Sequence, residues 1–322
     1  MLVMLDINWT NDQLISRRNI MHVSIIGAGG FVGQRIMRFL AGDPAVSKLT
    51  LSDAAPFEAV AGATVVTGDF GDSLVRERAT ERADAVIVLA AILGGGAETD
   101  YPLARRVNVD ATLDLFEHLR IQNRATRVVF ASTIAVFAKP LPDPVTDATP
   151  TGPTMVYGAQ KLMMEVALAN FSAKGWLDGV SLRPSGVMAR DGADAALRTA
   201  FMSRLFWCVK RGEDITLPVA EDSRTWLTSI DTVARNFIHA VKLPEIGDNR
   251  AFTLPALSLT FGELVAALRR KFPDSPSQVV FAPDAELVSL FGSYPHLETE
   301  TADRLGFIRD ASADELVRNA LN

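Results

Sequence analysis

Cysteine is nearly absent from this chain of 322 residues, which contains only Cys208. A single thiol excludes an internal disulfide and a cysteine-based metal site, and no metal is expected. The scarcity of cysteine fits a reducing compartment, so a cytoplasmic location is predicted. Because Cys208 lies between Trp207 and Val209, we interpret it as a buried thiol.

The chain also has no excess of basic residues and no long apolar run. The net charge is −6, whereas binding to nucleic acid or to an anionic membrane needs a concentrated basic surface. No stretch approaches the roughly 18 continuous apolar residues of a membrane helix. With 48% hydrophobic and 22% charged residues, the composition is that of a packed globular protein. The expected partner is therefore a small molecule, with no nucleic acid and no membrane.

The first twenty residues differ in pattern from the rest of the chain. Their apolar start is interrupted by Asp6 and Asn8, and the pair Arg17-Arg18 comes after it, which is the wrong order for a secretory signal. Residues 1–20 are predicted to be an arm or extension.

From Met21 onward, short apolar runs alternate with helical patterns. Near-continuous Val, Ile and Leu runs separated by helices predict a parallel sheet covered on both faces. Right-handed crossovers make it a doubly wound α/β sheet, the Rossmann fold. We expect this domain to span 21–185, with 225–255 returning to its sheet. Residues 186–224 and 256–322 are predicted to form a smaller substrate-binding lobe.

A glycine-rich turn, IIGAGGFVG, joins the first predicted strand to the first helix. Gly27 permits a tight turn, Gly30 lets backbone N–H groups approach a pyrophosphate, and Gly33 lets the helix pack on the strand. Phe31 and Val32 open the helix, whose N-terminus favours phosphate groups. The alternative is a tight turn that binds nothing.

An acidic residue, Asp53, ends the second predicted strand, twenty residues after Gly33. A carboxylate there accepts hydrogen bonds from the adenosine ribose and repels a 2′-phosphate, which favours NAD. The alternative is a turn-capping Asp before Pro56. Arg35 and Arg38 on the first helix leave NADP open.

The motifs, taken in order, resemble the extended short-chain dehydrogenase/reductase family over nearly the whole chain from Met21. That family includes NAD-dependent epimerases and dehydratases as well as dehydrogenases, and dimerisation is common in it. The resemblance therefore implies a Rossmann fold, NAD as cofactor and a homodimer. The segments that carry it are GAGGFVG, the acid Asp53, GDFGD, VLAA, VNVDAT, ASTIAVF, YGAQK, LRPSGV and RTWLTSIDTVARNFIHA.

The same resemblance assigns residues around the adenosine half of the cofactor. Asp69 and Phe70 contact the adenine ring, and Ala90 and Ala91 lie against ribose and phosphates. Asn108 organises the region from its helix. Without the ordered motifs, Asp69 reads as a turn residue and Asn108 as a helix surface residue.

At the reacting end, the resemblance makes Thr133 the catalytic hydroxyl, with Ser132 as the less favoured claimant. Pro184, Ser185 and Val187 border the nicotinamide. The alternative for Thr133 is an ordinary β-strand threonine.

The segment YGAQK places Tyr157 and Lys161 one helical turn apart, in a chain with three tyrosines. A free tyrosine has a pKa near 10, and a lysine ammonium on the same helix face favours the phenolate. Tyr157 is thus predicted to remove the proton from a substrate hydroxyl while hydride leaves the same carbon, with Lys161 also holding the nicotinamide ribose. The alternative is an exposed pair on an amphipathic helix.

Two stretches bear on the substrate. Nucleotide-sugar enzymes of the family often carry an Asn where this chain has Ser185, which weakens that assignment. The stretch VLAAILGGGAETDYPLARRVNVDATLDLFEHLR resembles the D-erythronate dehydrogenases, a group that oxidises the C2 hydroxyl of a four-carbon sugar acid and prefers NAD. We expect such a sugar acid as substrate. A nucleotide-sugar epimerase or dehydratase and a cofactor-binding regulatory protein are the alternatives.

A carboxylate substrate needs cationic or N–H donors. The family resemblance makes Arg224 the best single candidate, because the matching Arg of the family often faces the substrate, and Ser132 with the loop 94–96 could add contacts. The alternative for Arg224 is a surface ion pair with Glu221 or Asp222. His239 is expected to pack near the sheet rather than to act as a catalyst.

Overall fold

The structure is a computed structural model that describes residues 20–192 and 199–322. Of the predicted N-terminal arm, 1–20, only residue 20 is among the described residues.

The central sheet has seven parallel strands: β1 (Met21–Ile26), β2 (Val46–Asp53), β3 (Thr64–Thr67), β4 (Ala85–Val88), β5 (Arg127–Ala131), β6 (Asp178–Arg183) and β10 (Ala251–Thr253). They lie in the order β10-β6-β5-β4-β1-β2-β3. The order reverses between β1 and β4, and in sheets of this type ligands bind at that point, outside the carboxyl ends of the strands. The predicted fold class is confirmed.

Helices cover both faces of this sheet, as the apolar strands require. On one face, Ile36 and Leu40 pack with Val233 and Phe237. The other face carries a separate apolar cluster that includes Phe116. The helices of this domain are α1 (Phe31–Ala41), α2 (Ser73–Thr80), α3 (Gly94–Thr99), α4 (Tyr101–Arg105), α5 (Thr112–Ile121), α6 (Val156–Ala173) and α8 (Ile230–Lys242).

The helical segment that contains Asn108 is not a continuous α-helix. A π-helical segment, Arg106–Ala111, separates α4 from α5. Such segments occur often at functional sites, and this one contains Asn108. The sequence reading also missed α2, whose N-cap Asp72 accepts a hydrogen bond from Leu74 N at 2.8 Å.

The segment 225–255 returns to the central sheet only in part. Its last strand, β10, pairs with β6, but β9 (Arg224–Ser229) lies in a second sheet, between β7 (Gly186–Met188) and β11 (Leu257–Thr260). The placement of all of 225–255 in the central sheet is therefore wrong for β9. Because β9 leads directly into α8, the chain passes from the second sheet to the helix layer of the first.

The remaining elements pack around a second apolar core, which includes Leu205, Leu264 and Val317. None of the helices within 20–192 and 199–322 has both the length and the apolar character needed to cross a membrane. These elements are α7 (Ala200–Arg211), β8 (Ile215–Leu217), α9 (Phe261–Lys271), β12 (Val279–Phe281), α10 (Ala285–Phe291), α11 (Glu300–Arg304) and α12 (Ala313–Ala320).

Candidate active site

A cavity of about 1850 Å³ is lined by residues from the carboxyl ends of β1, β2, β4, β5 and β6 together with residues of the second sheet and α7. It brings together nearly all the predicted site residues, although they are spread over 160 positions of the chain. Asn108 and Arg224 are the predicted residues that do not line it. Those that do are Gly27, Gly30, Phe31, Val32, Gly33, Asp53, Asp69, Phe70, Ala90, Ala91, Ser132, Thr133, Tyr157, Lys161, Pro184, Ser185 and Val187.

The glycine turn has two positions where a side chain cannot be placed. Gly27 has a φ of +92°, and a Cβ on it would lie 2.6 Å from Ala90 N. A Cβ on Gly33 would lie 2.3 Å from the carbonyl oxygen of Gly27. Both distances are far below van der Waals contact. The tight turn at Gly27 and the close helix packing at Gly33 are therefore as the spacing predicted.

The N-terminus of α1 opens into the cavity. Its N-cap residue is Gly30, which has no side chain to accept from the first N–H groups, and its first turn holds no acidic residue. Phe31 and Val32 both line the cavity. Unsatisfied N–H groups at the positive end of a helix form an anion site suited to a pyrophosphate.

The carboxylate of Asp53 lies beside this turn. One of its oxygens accepts a hydrogen bond from Gly29 N at 2.9 Å, and the other accepts from Ala55 N at 3.3 Å. A carboxylate has about four lone-pair positions, so acceptor capacity remains for ribose hydroxyls. Arg35, considered for a 2′-phosphate, is instead paired with Asp231.

Asp69 also lines the cavity. Its carboxylate pairs with Arg106 on the π-helical segment and accepts from Gly71 N at 2.9 Å. Partial burial opposes ionisation, but the hydrogen bonds from Arg106 and Gly71 lower the pKa of Asp69 below its usual value. Asp69 is therefore a turn residue, as in the alternative interpretation, and it also lines the cavity.

Two buried hydroxyl groups in the cavity wall, those of Ser52 and Ser185, have no hydrogen-bond partner among the described residues. Buried polar groups are normally paired, so each is positioned to bond a ligand. The open helix N-terminus and the Asp53 carboxylate add a further donor site and acceptor to the same cavity. The residues present fit a dinucleotide.

Thr133 follows β5 and caps a short 3₁₀ turn, Ile134–Val136. Its side-chain oxygen accepts from Ala135 N at 3.1 Å, which leaves the hydroxyl hydrogen for a ligand in the cavity. A Cβ on Gly158 would lie 2.2 Å from the carbonyl oxygen of Ala135. This close contact packs the start of α6 against the turn and holds Tyr157 near Thr133.

Tyr157 and Lys161 both face the cavity from α6, and Lys161 is 2% exposed. The Lys161 ammonium lies 4.5 Å from the ring centre of Phe130 and 5.8 Å from that of Tyr157. Burial lowers the pKa of Lys161 to about 7, while the charge of Glu165 opposes that shift. The interpretation of Tyr157 and Lys161 as an exposed pair is wrong.

The chain alone does not show the lowered pKa of Tyr157 that its spacing from Lys161 favours. Burial raises the pKa of Tyr157 instead. Desolvation disfavours a phenolate and an ammonium alike. The protein by itself therefore holds a neutral phenol.

A buried ion-pair network beneath Lys161 was missed by the sequence reading. Glu165 is 4% exposed and accepts from Arg183 Nε at 2.9 Å and Nη2 at 2.6 Å. Ser132 donates its hydroxyl hydrogen to the same carboxylate. Ser132 therefore lines the cavity, but its hydroxyl hydrogen is already bonded to Glu165. The available signal was the spacing of Tyr157, Lys161 and Glu165, which recurs every four residues along one helix face.

Asn108 lies beneath the cavity wall and is 1% exposed. Its Oδ1 accepts from Ile92 N at 2.8 Å, and its Nδ2 donates to Ile92 O at 2.9 Å and to Gln160 Oε1 at 2.8 Å. The helix-surface interpretation of Asn108 is wrong. It fixes the loop after β4 from below and does not line the cavity itself.

Arg224 begins β9, and its neighbours Thr225 and Trp226 line the cavity while Arg224 does not. Among the described residues it forms no ion pair with Glu221 or Asp222. The structure does not bring the predicted carboxylate ligand to the site.

Four further side chains lie outside the cavity. His239 Nε2 lies 2.7 Å from the carbonyl oxygen of Leu305, so the ring packs against the fold as expected. Cys208 is a buried thiol, as predicted. Met164 is buried in the core, but Met163 is 53% exposed.

The sequence profile of the NAD dependent epimerase/dehydratase family matches residues 23–253. The chain is 34% identical to a D-erythronate dehydrogenase of Cupriavidus necator over 92% of its own length and 97% of that protein. It is 30% identical to a D-erythronate dehydrogenase of Haemophilus influenzae, covering 92% of this chain and 98% of the relative.

A solved structure is similar as well. The crystal structure of a nucleoside-diphosphate-sugar epimerase from Agrobacterium tumefaciens superposes with a TM-score of 0.85 at 33% identity, covering 92% of each chain.

Proposed function

This chain belongs to the NAD dependent epimerase/dehydratase family, and on that premise we propose that it is a dehydrogenase that oxidises the C2 hydroxyl of a small sugar acid, such as D-erythronate, to the 2-oxo acid. NAD is its cofactor. The support for the substrate is the similarity over nearly the full length to two D-erythronate dehydrogenases.

The observation that carries the proposal is the convergence of two kinds of group in one cavity. The glycine turn with Asp53 fits a dinucleotide, and Thr133, Tyr157 and Lys161 line the same space. A hydroxyl, a phenol and an ammonium are the groups needed to hold a substrate oxygen and take its proton.

The cofactor site follows from the residues already described. Phe31 and Val32 would hold the pyrophosphate through their N–H groups, Asp53 the adenosine ribose, and Ser185 the nicotinamide end. When bound there, NAD supplies the acceptor for the hydride that leaves the substrate carbon.

The protein's own part is to orient the substrate and move one proton. Thr133 donates its free hydroxyl hydrogen to the substrate oxygen, and Tyr157 accepts the proton of that hydroxyl. Lys161 in its ammonium form favours the phenolate of Tyr157. Because burial raises the pKa of the phenol, this charge is needed at the moment of proton transfer.

A direct assay tests the proposal. Purified protein with NAD is expected to form NADH, measured by its absorbance, with D-erythronate or another four-carbon aldonate and not with the matching polyol. A panel of aldonates that gives no NADH, together with a nucleotide sugar that changes stereochemistry without net reduction, would establish the epimerase instead. That second candidate is favoured by the similarity to a nucleoside-diphosphate-sugar epimerase structure.

The family resemblance also implies a homodimer. We assign its interface to the exposed faces of α5 and α6. Met163 and Val166 on α6 are 53% and 64% exposed, and Leu113 on α5 is 37% exposed. Exposed apolar side chains on neighbouring helices support a subunit interface there. A cytoplasmic location remains part of the proposal.

A further inference from the structure

A sugar acid carries a carboxylate, so its site needs a cation that is not already neutralised. The cationic side chains lining the cavity are Arg35, Arg38, Arg106, Lys139, Lys161 and Arg190. Arg35 is paired with Asp231 and Arg106 with Asp69. Lys161 lies beneath Tyr157 with Glu165 one turn away. Arg38, Lys139 and Arg190 are left without an ion pair among the described residues.

These three cations lie in different parts of the cavity. Arg38 projects from α1, the helix that starts at the glycine turn, and is exposed. The guanidinium of Arg190 lies 5.4 Å from the ring centre of Phe31, at the helix N-terminus that suits the pyrophosphate. Both therefore belong to the cofactor half. Lys139 instead follows Thr133 by six residues in the chain, and its ammonium lies over the ring of Tyr294.

The backbone leads directly from Thr133 to Lys139. The 3₁₀ turn after Thr133 packs against the start of α6. Phe137 then forms an isolated antiparallel β-bridge with Thr151. Six residues after the catalytic hydroxyl, Lys139 enters the cavity wall. The segment that leads to Lys139 is thus held by the contact that also positions the start of α6.

One aromatic ring contacts the Lys139 ammonium, and a second ring packs against the first. It lies 4.9 Å from the ring centre of Tyr294, whose ring in turn lies 4.9 Å from that of Trp226. All three side chains line the cavity. Among the described residues no carboxylate pairs with this ammonium, and partial burial lowers the pKa of Lys139.

A desolvated cation without a counter-ion gains most from an anionic ligand. The ring of Tyr294 holds the ammonium in place, which reduces the side-chain entropy lost on binding. An anion arriving beside Thr133 supplies the missing charge.

We propose that Lys139, held over Tyr294, binds the carboxylate of the substrate and makes the site specific for hydroxy acids over neutral polyols. This rests on the proposed function, since a carboxylate is expected only if the substrate is a sugar acid. Lys139 takes the role that the sequence had assigned to Arg224.

The experiment compares Lys139→Met, Lys139→Arg and the wild type, with the exposed Lys174→Met as a control for lysine removal outside the cavity. Two measurements are made on each. Steady-state oxidation of D-erythronate gives kcat and KM. Calorimetry with NADH already bound gives the affinity for D-erythronate and for erythritol, its uncharged counterpart, under conditions where oxidation cannot proceed.

We expect Lys139→Met to raise KM by about 10- to 100-fold, as for loss of a charge-assisted hydrogen bond, with a smaller effect on kcat. Lys139→Arg recovers most of the loss, and Lys174→Met changes nothing. In calorimetry the wild type prefers D-erythronate over erythritol, and Lys139→Met removes that preference.

Turnover with an unchanged KM in Lys139→Met overturns this assignment and leaves the proposed function standing. Binding of D-erythronate that depends on Lys139, without NADH formation in the wild-type assay, supports the carboxylate site and rejects the dehydrogenase. Absence of both turnover and Lys139-dependent binding rejects both.

Discussion

The side chains of Lys161 and Tyr157 lie close together, but burial favours the uncharged form of each. The ammonium lies 5.8 Å from the centre of the phenol ring, yet burial raises the pKa of Tyr157 and lowers that of Lys161 to about 7. Each group alone thus tends toward its neutral form. The active combination, phenolate with ammonium, must be favoured by ligands in the cavity.

Tyr157→Phe is expected to lower kcat for oxidation by about 10²- to 10⁴-fold, the usual contribution of a general base. In the wild type, kcat/KM for oxidation rises with pH because the phenolate is the active form, while 2-oxo acid reduction falls with pH because the phenol is. Stopped-flow NADH absorbance across pH 6 to about 9.5 measures both. Parallel pH profiles in the two directions contradict the assignment of Tyr157.

Calorimetric titration of NAD into Tyr157→Phe provides the control. The ring remains, so cofactor affinity is expected to change little. A large loss of NAD affinity would show that the kinetic effect came from binding.

Lys161→Met is expected to stabilise the protein without cofactor at pH 7. The folded-state pKa of about 7 lies below the ordinary value of 10.5, so the unfolded chain binds more protons between these values. Stability therefore rises with pH across that window, and the cost of the buried ammonium is fully present below it. The gain on substitution is on the order of a few kcal/mol at pH 7 and disappears near pH 10.5.

Urea unfolding of Lys161→Met and wild type at pH 7 and pH 10 measures this difference. Lys174→Met, on the surface, is expected to show no pH-dependent gain. An equal effect of Lys161→Met at both pH values would mean that Lys161 is not destabilised by burial.

Much of the cofactor half of the site was predictable because it depends on local geometry. A turn that excludes Cβ atoms at Gly27 and Gly33 requires glycine, and the parallel sheet then places Asp53 beside that turn. Periodicity and spacing report such features directly. The sequence therefore located many of the residues that line the cavity.

The substrate half was not predictable in the same way. Whether Arg224 or Lys139 reaches the cavity depends on how β9 joins the second sheet, which no short-range pattern encodes. Likewise, the sign of the pKa shift of Tyr157 depends on its burial, whereas sequence spacing shows only that Lys161 is near. Long-range packing decided both points.

The proposed dimer predicts a simple outcome for charge on α6. Met163→Lys combined with Val166→Lys places two ammonium groups in the exposed apolar patch, and like charges then meet across a symmetric interface. Sedimentation velocity is expected to show a monomer for the double variant and a dimer for the wild type. Lys174→Glu, near the end of the same helix, serves as the charge-change control and should remain dimeric.

Asp53 is expected to control the choice between NAD and NADP. Its carboxylate lies beside the glycine turn, and Arg38 lines the same part of the cavity without an ion pair among the described residues. Asp53→Ser removes the negative charge that repels a 2′-phosphate and leaves Arg38 to attract it. The ratio of kcat/KM for NADP to that for NAD should rise by about 10- to 100-fold. Asp53→Glu, which keeps the charge, should retain the preference for NAD.

Glu165 is expected to be essential to stability because it compensates Arg183. Arg183 and Glu165 have side-chain exposures of 13% and 3%. Glu165→Met leaves the guanidinium uncompensated and should cost about 3 to 5 kcal/mol of unfolding free energy, while the double variant with Arg183→Met should lose less than Glu165→Met alone. Urea unfolding of the two single variants and the double variant completes the cycle. Additive losses would show that the two charges do not depend on each other, and the network beneath Lys161 would then have no role in holding α6 against β6.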